Sequence, residues 1–224
     1  MANTPNLTPP PWLRDRLDGA SVTPDIFHQG GWVNRRAMED ELREHEFEPR
    51  LIGDWISRAQ LFEYADWARE SQEGALQLLF NTMAWAEGKA NRNNRRRVRA
   101  IARDRERAGE LLQTAAQLSG TDAESAYNRL LTGVRTPAIS TISPTVFTKF
   151  LYFCGAGRPN HPALMLDRAV AEALREAGWR DFRTQNWSGA EYVAYLNLVT
   201  RWRDELSGDF PRLRTDLVEW ALRR

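Results

Sequence analysis

Two stretches govern the reading of this chain: Ser143-Pro144-Thr145-Val146-Phe147-Thr148-Lys149 and Leu164-Met165-Leu166-Asp167-Arg168-Ala169-Val170, whose aspartate lies 18 residues beyond the lysine. The first opens a short helix expected over Thr145–Cys154. On it, Val146, Phe147, Phe150, Leu151, Phe153 and Cys154 cover most of the circumference, leaving Lys149 on a narrow face with Thr145 and Tyr152. A lysine hemmed in by aromatic rings loses solvation, and its pKa falls from about 10.4 towards neutrality. Such an amine can attack an electrophilic carbon and form a Schiff base. The plainer alternative is a lysine that snorkels its ammonium into water from the helix edge. In the second stretch an apolar run ends at Asp167, just ahead of a helix expected over Arg168–Ala177. Aspartate is a favoured N-cap, and the helix dipole keeps a carboxylate there ionised. It can serve only as a cap, or it can also stabilise a developing cation or move a proton.

Outward from these two stretches, helical periodicity dominates, and no alternation of apolar and polar residues is long enough to predict a strand. Asn34–Phe47 and Asp54–Arg69 read as charged amphipathic helices, and Gln72–Glu87 as a helix with a broad apolar face. A polar loop, Gly88–Asn94, precedes one long helix over Arg95–Leu118, on which Arg95, Arg99 and Arg103 repeat at i, i+4 and i+8. Thr121 or Asp122 can cap the next helix. After the proline-broken connection Gly133–Pro144 come the two short helices and the loop Gly155–Pro162, and then helices over Ser188–Leu206 and about Pro211–Leu222. The expected fold is all-α, with about nine or ten helices. Residues 1–12 read as a flexible tail, 13–71 as a helical front part without assignment, and 72–224 as the core.

Composition narrows the function further. A hydrophobic content of 42%, with nine Trp and nine Phe, is enough for a sizeable core. No apolar run approaches the length of a membrane span, and the polar, proline-rich start lacks the layout of a signal peptide. Cys154 is the lone cysteine, so a reducing, cytoplasmic setting is expected. The three histidines are scattered, Gly155-Ala156-Gly157 lacks the strand and third glycine of a nucleotide loop, and no nucleophile-elbow serine occurs. Net charge is only +1, yet Lys89–Arg107 holds nine basic and two acidic residues, while Met38–Arg50 holds six acidic and two basic. Charge so segregated can turn a basic face to phosphates, or leave a solvated helix face or meet an acidic partner. Of the 31 basic residues only Lys89 and Lys149 are lysines. Arginine can replace a surface lysine but not an amine nucleophile.

Taken together, the two stretches resemble the helix-hairpin-helix DNA glycosylase superfamily, in which a Leu-Pro-Gly-Val-Gly-Thr-Lys-like hairpin enters a helix and a Val-Pro-Val-Asp-like segment caps the next one. Closest in appearance are bacterial proteins with an 8-oxoguanine DNA glycosylase fold, which share the Phe147–Phe153 pattern and carry a Trp- and Tyr-rich helix, here with Tyr192, Tyr195 and Trp202. The resemblance covers Gln72 to the carboxyl terminus. It implies a compact glycosylase-like fold around a modified hairpin, with Lys149 and Asp167 as the catalytic pair. It also implies a substrate of double-stranded DNA with a modified purine, base flipping, attack of Lys149 at C1′ and β-elimination. No metal or organic cofactor, membrane or obligatory protein partner is expected. The DNA-contacting surface is expected to include Lys89, Arg92, Arg95, Arg96 and Arg99, with Arg158 and His161 in the loop between the catalytic pair. One departure matters: Thr145 and Phe147 stand where the hairpin glycines would let backbone amides approach a phosphate. A non-catalytic DNA-binding or interaction protein on the same fold is therefore the alternative.

Overall fold

In the computed structural model, which describes residues 4–223, the middle of the chain is organised around a helix buried nearly all round. This helix, α5 (Gln72–Glu87), is capped by Ser71, whose hydroxyl accepts from the Gly74 amide at 3.0 Å. Every side chain from Ala75 to Ala84 is buried, which explains why no narrow apolar stripe marks its sequence. Earlier in the chain come α1 (Pro11–Leu17), a π-helical turn (Val22–Phe27), β1 (Gly30–Trp32), α2 (Arg35–Glu44), β2 (Trp55–Ser57), α3 (Arg58–Phe62) and α4 (Ala65–Glu70). After α5 come a 3-10 turn (Gly88–Ala90), α6 (Asn94–Ala102), α7 (Arg105–Leu118), α8 (Ala123–Arg129), β3 (Leu131–Thr132) and β4 (Thr136–Pro137). The chain ends with α9 (Pro144–Phe153), α10 (Arg168–Glu176), α11 (Gly189–Leu206) and α12 (Thr215–Leu222).

The all-α expectation stands, with twelve α-helices among the described residues instead of nine or ten. The excess arises from splits. The helix expected over Arg95–Leu118 breaks at Arg103–Asp104, because the Asp104 carboxylate caps α7 through the Arg107 amide at 3.3 Å. The helix expected over Asp54–Arg69 resolves into β2, α3 and α4. There, Ser57 and Gln60 form a reciprocal capping box that starts α3. Two antiparallel strand pairs, β1–β2 and β3–β4, were not anticipated. Strands of two or three residues are too short for alternation to register.

Helices α4 and α7 pack on α5, and the α4–α5 approach is close enough that a side chain at Gly74 would strike the Trp67 carbonyl. On another side α5 meets α9, which with α8 and α11 forms the second part of the core. Helix α12 lies against α1, α10 and α11 and closes the structure over the start of α10. Residues 1–3 of the expected tail lie outside the described residues. The rest of that segment is docked rather than free: the Trp202 indole donates to the Leu7 carbonyl at 2.7 Å, and Arg201 donates to that of Pro5 at 2.6 Å. No helix among the described residues is long and apolar enough to cross a membrane.

Candidate active site

The residues between Ala163 and Leu166 are extended, buried and not part of a sheet, so their backbone groups need other partners. Three hydroxyls supply them. Tyr192 accepts from the Leu164 amide at 3.1 Å and donates to the carbonyl of the same residue at 2.8 Å. Tyr195 donates to the Met165 carbonyl at 2.8 Å. Thr148 accepts from the Leu166 amide at 3.1 Å and donates back to the Pro144 carbonyl at 2.8 Å. The Trp- and Tyr-rich helix α11 thus moulds this segment, and α9 pins its end.

That arrangement delivers Asp167 to the first turn of α10, facing Lys149 on α9. The Asp167 Oδ1 caps α10 by accepting from the Val170 amide at 3.2 Å. Its Oδ2 accepts from Lys149 Nζ at 3.2 Å, and Nζ also donates to the Thr145 carbonyl at 3.2 Å. Lys149 is 7% exposed and does not snorkel. Burial pushes its ammonium down to about 8, against the opposing pull of Asp167 and with help from Arg223. Burial alone would raise the Asp167 carboxyl, but Arg223, Lys149 and the Val170 amide together hold it well below the usual carboxylate range. The site therefore contains an amine that loses its proton far more readily than an ordinary lysine beside a firmly ionised carboxylate, a pairing that suits a nucleophile and its counter-charge.

Sequence reasoning missed the third member. Arg223, just past α12, bonds the same Asp167 Oδ2 and also Glu219, which is wholly buried. Glu219 lies 3.6 Å from Arg58 Nη1, and Arg58 is wholly buried between the Trp85 and Tyr152 rings. Arg58 donates to the Tyr152 hydroxyl at 3.2 Å, which in turn donates to Asp216 at 3.2 Å. Arg214 completes the chain with a bidentate grip on Asp216 at 2.9 and 2.7 Å. The i, i+4 spacing of Glu219 and Arg223 was visible, but nothing distinguished it from a surface pair.

The expected DNA-contacting residues fare unequally. Arg92, Arg96, Arg99 and Arg158 are exposed. Lys89 sits in the 3-10 turn with its ammonium 5.8 Å from the Trp32 ring centroid. Arg95 is also exposed but turns towards the acidic helix α2, 3.7 Å from Glu41 and 3.9 Å from Glu44, so part of the acidic segment is an internal partner of the basic one. His161 needs correction as a loop residue reaching for DNA. Its ring packs on Gly155 and its Nε2 bonds the Leu151 carbonyl at 2.9 Å, and burial pushes the imidazole down to about 4. Cys154 is buried, and its thiol is pushed up to about 12 by that burial, so it is no rival nucleophile. Among the described residues no cluster of three or more His, Cys, Asp or Glu is placed to hold a metal ion. A protein-family model described as "Putative 8-oxoguanine DNA glycosylase OGG-like protein" matches residues 24–222, taking in most of the front part left unassigned above. Searches of curated proteins and of solved structures found no match.

Proposed function

The chain belongs to this OGG-like family, and on that premise we propose that it is a DNA glycosylase with lyase activity, acting on a modified purine such as 8-oxoguanine. The observation that carries the reading is the buried Lys149 amine 3.2 Å from the helix-capping Asp167. With its pKa near 8, about a tenth of Lys149 is neutral at pH 7, against less than a thousandth for an ordinary lysine. The target nucleotide leaves the stack and enters beside the amine. The glycosidic bond breaks, its electron pair departs with the base, and the base takes up a proton. Nζ bonds to C1′ and sheds its proton, while Asp167 offsets the positive charge on the sugar. Opening of the C1′–O4′ bond gives the imine, and loss of a C2′ proton then expels the 3′ phosphate by β-elimination.

Arg223 shares Asp167 Oδ2 with Lys149 in this structure, so a substrate that engages that oxygen displaces the guanidinium. The backbone is to be held by the exposed cations Lys89, Arg92, Arg96, Arg99 and Arg158, with binding that weakens steeply in salt.

One observation favours the non-catalytic alternative. The Val146 and Phe147 amides, where a helix-hairpin-helix would meet phosphate, bond the Ser143 carbonyl at 2.8 and 3.0 Å, and the Phe147 side chain is wholly buried. Borohydride trapping separates the two readings. Duplexes carrying 8-oxoguanine, an abasic site or no lesion would be mixed with protein, reduced and run on a denaturing gel. A covalent band on the 8-oxoguanine duplex, absent in Lys149→Ala and Lys149→Arg, supports the enzyme. A band on the abasic duplex alone keeps the lyase chemistry and removes the base assignment. No band, with DNA binding unchanged in Lys149→Arg, establishes the binding module.

A further inference from the structure

The two-stranded β1–β2 sheet, whose strands are joined through α2, carries two large aromatic side chains in water. Trp32 is 57% exposed and Trp55 42%, whereas the other large hydrophobic residues among the described ones are covered or partly covered except Val134. The two tryptophans are cross-strand partners, with ring centroids 5.5 Å apart and planes at 77°, so they brace each other edge to face. Gly30 helps seat Trp55: a β-carbon there would lie 2.8 Å from the indole Nε1 and 2.6 Å from the Ile56 carbonyl. Isolated exposed apolar residues need no explanation, but a braced pair of indoles on a short, glycine-backed strand pair is an aromatic surface that the core does not use.

Its surroundings are cationic. Strand β1 packs on the 3-10 turn whose Lys89 ammonium lies 5.8 Å from the Trp32 ring, and three residues later that turn gives way to α6. Arg92, Arg96 and Arg99 are exposed there, and none makes a side-chain hydrogen bond or ion pair among the described residues. Arg96 and Arg99 share a helix face at i, i+3, whereas Arg95 serves α2. Aromatic faces beside unpaired cations are the chemistry by which proteins hold unstacked nucleobases and their phosphates. A protein partner would meet the same indoles without needing free cations next to them.

We infer that the Trp32–Trp55 pair is a stacking platform for unstacked bases of a DNA strand whose phosphates lie along Lys89, Arg92, Arg96 and Arg99. The inference rests on the DNA-directed reading above and adds a binding site distinct from the Lys149–Asp167 pair. It implies that DNA with unpaired bases binds more tightly than uniform duplex of the same length.

The test uses the whole chain and fluorescence anisotropy with labelled single-stranded DNA, perfect duplex and duplex with a central unpaired bulge. Trp32→Ala with Trp55→Ala is expected to weaken binding to the single strand and the bulged duplex by about tenfold or more, with little change for perfect duplex and an unaltered salt slope. Arg96→Gln with Arg99→Gln should weaken all three and lower the salt slope by about two. Trp32→Phe with Trp55→Phe keeps aromatic faces and should recover most of the loss, which also guards against a folding defect in the alanine variant. Equal binding by wild type and the double alanine variant overturns the platform, as does an equal loss on all three DNAs. If wild type traps abasic DNA while the platform fails, only this inference falls. If wild type binds none of the DNAs, the DNA-directed reading falls with it, and a protein partner for the tryptophan pair becomes the account to pursue.

Discussion

Replacing Arg223 by methionine removes one of the two cations on Asp167 Oδ2 while keeping much of the side-chain volume. Lys149 Nζ and the guanidinium share that oxygen, and two unit charges about 5 Å apart repel by roughly 3 kcal/mol at an effective dielectric near 20, or about two pKa units. The true effect is smaller because the site relaxes, so the Lys149 amine is expected to rise from about 8 by about one to two units. The acid limb of kcat/KM for cyanoborohydride trapping on an abasic duplex reports the free enzyme and should move up by the same amount. Arg223→Lys retains the charge and should leave the limb near its original position. Glu219 acts in the opposite sense, favouring the Lys149 ammonium, so Glu219→Gln should move the limb down. Opposite shifts from two neighbouring residues are hard to produce by a general loosening of the site. An unmoved limb in Arg223→Met, or shifts of the same sign in both variants, would refute the account of how this lysine is tuned.

Other outcomes follow from the same contacts. Thr148→Val leaves the buried Leu166 amide without its 3.1 Å partner, so it should cost about 1–3 kcal/mol in denaturant melts and lower the trapping rate by letting Asp167 drift. His161 is neutral in the fold, with its imidazole held at about 4 by burial; unfolding restores an ordinary value. The unfolded chain therefore binds more protons between about pH 6.5 and 4, and wild type should lose about 3 kcal/mol across that window relative to His161→Asn. Urea melts at pH 7 and 4 check this, and a stability difference independent of pH would contradict it. Gly74→Ala sets a β-carbon 2.2 Å from the Trp67 carbonyl, forcing α4 and α5 apart, so a loss of at least 2–3 kcal/mol is expected, and a neutral Tm would refute the packing.

Legibility in the sequence followed physical locality. Helix α5 has the bounds its apolar span announced, α10 begins after the Asp167 cap as expected, and α9 begins at Pro144, one residue ahead of the expected Thr145. The Lys149–Asp167 pair was approachable because each carries local chemistry of its own, Lys149 on a helix crowded with aromatic residues and Asp167 as the N-cap of the next. Arg223 could not be found that way: it reaches Asp167 across 56 residues, and on sequence grounds it is one arginine among many. Arg58 is the sharper case, since its burial is decided by Trp85, Tyr152 and Glu219 from three separate helices. The break at Asp104 was hidden by an arginine repeat that continues across it. His161 was misread because whether a loop histidine points inwards depends on the space above Gly155, a tertiary property.

The extended Ala163–Leu166 segment borrows its hydrogen bonds from hydroxyls on two different helices, not from a neighbouring strand. Its amides are therefore shielded only while α9 and α11 remain seated on it. Deuterium uptake at Leu164 would time the undocking of α11, and uptake at Leu166 that of α9, each without a probe being introduced. A ligand that reaches Lys149 by prying the helices apart would quicken one or both clocks, whereas one that merely displaces Arg223 would leave both running at their resting rate.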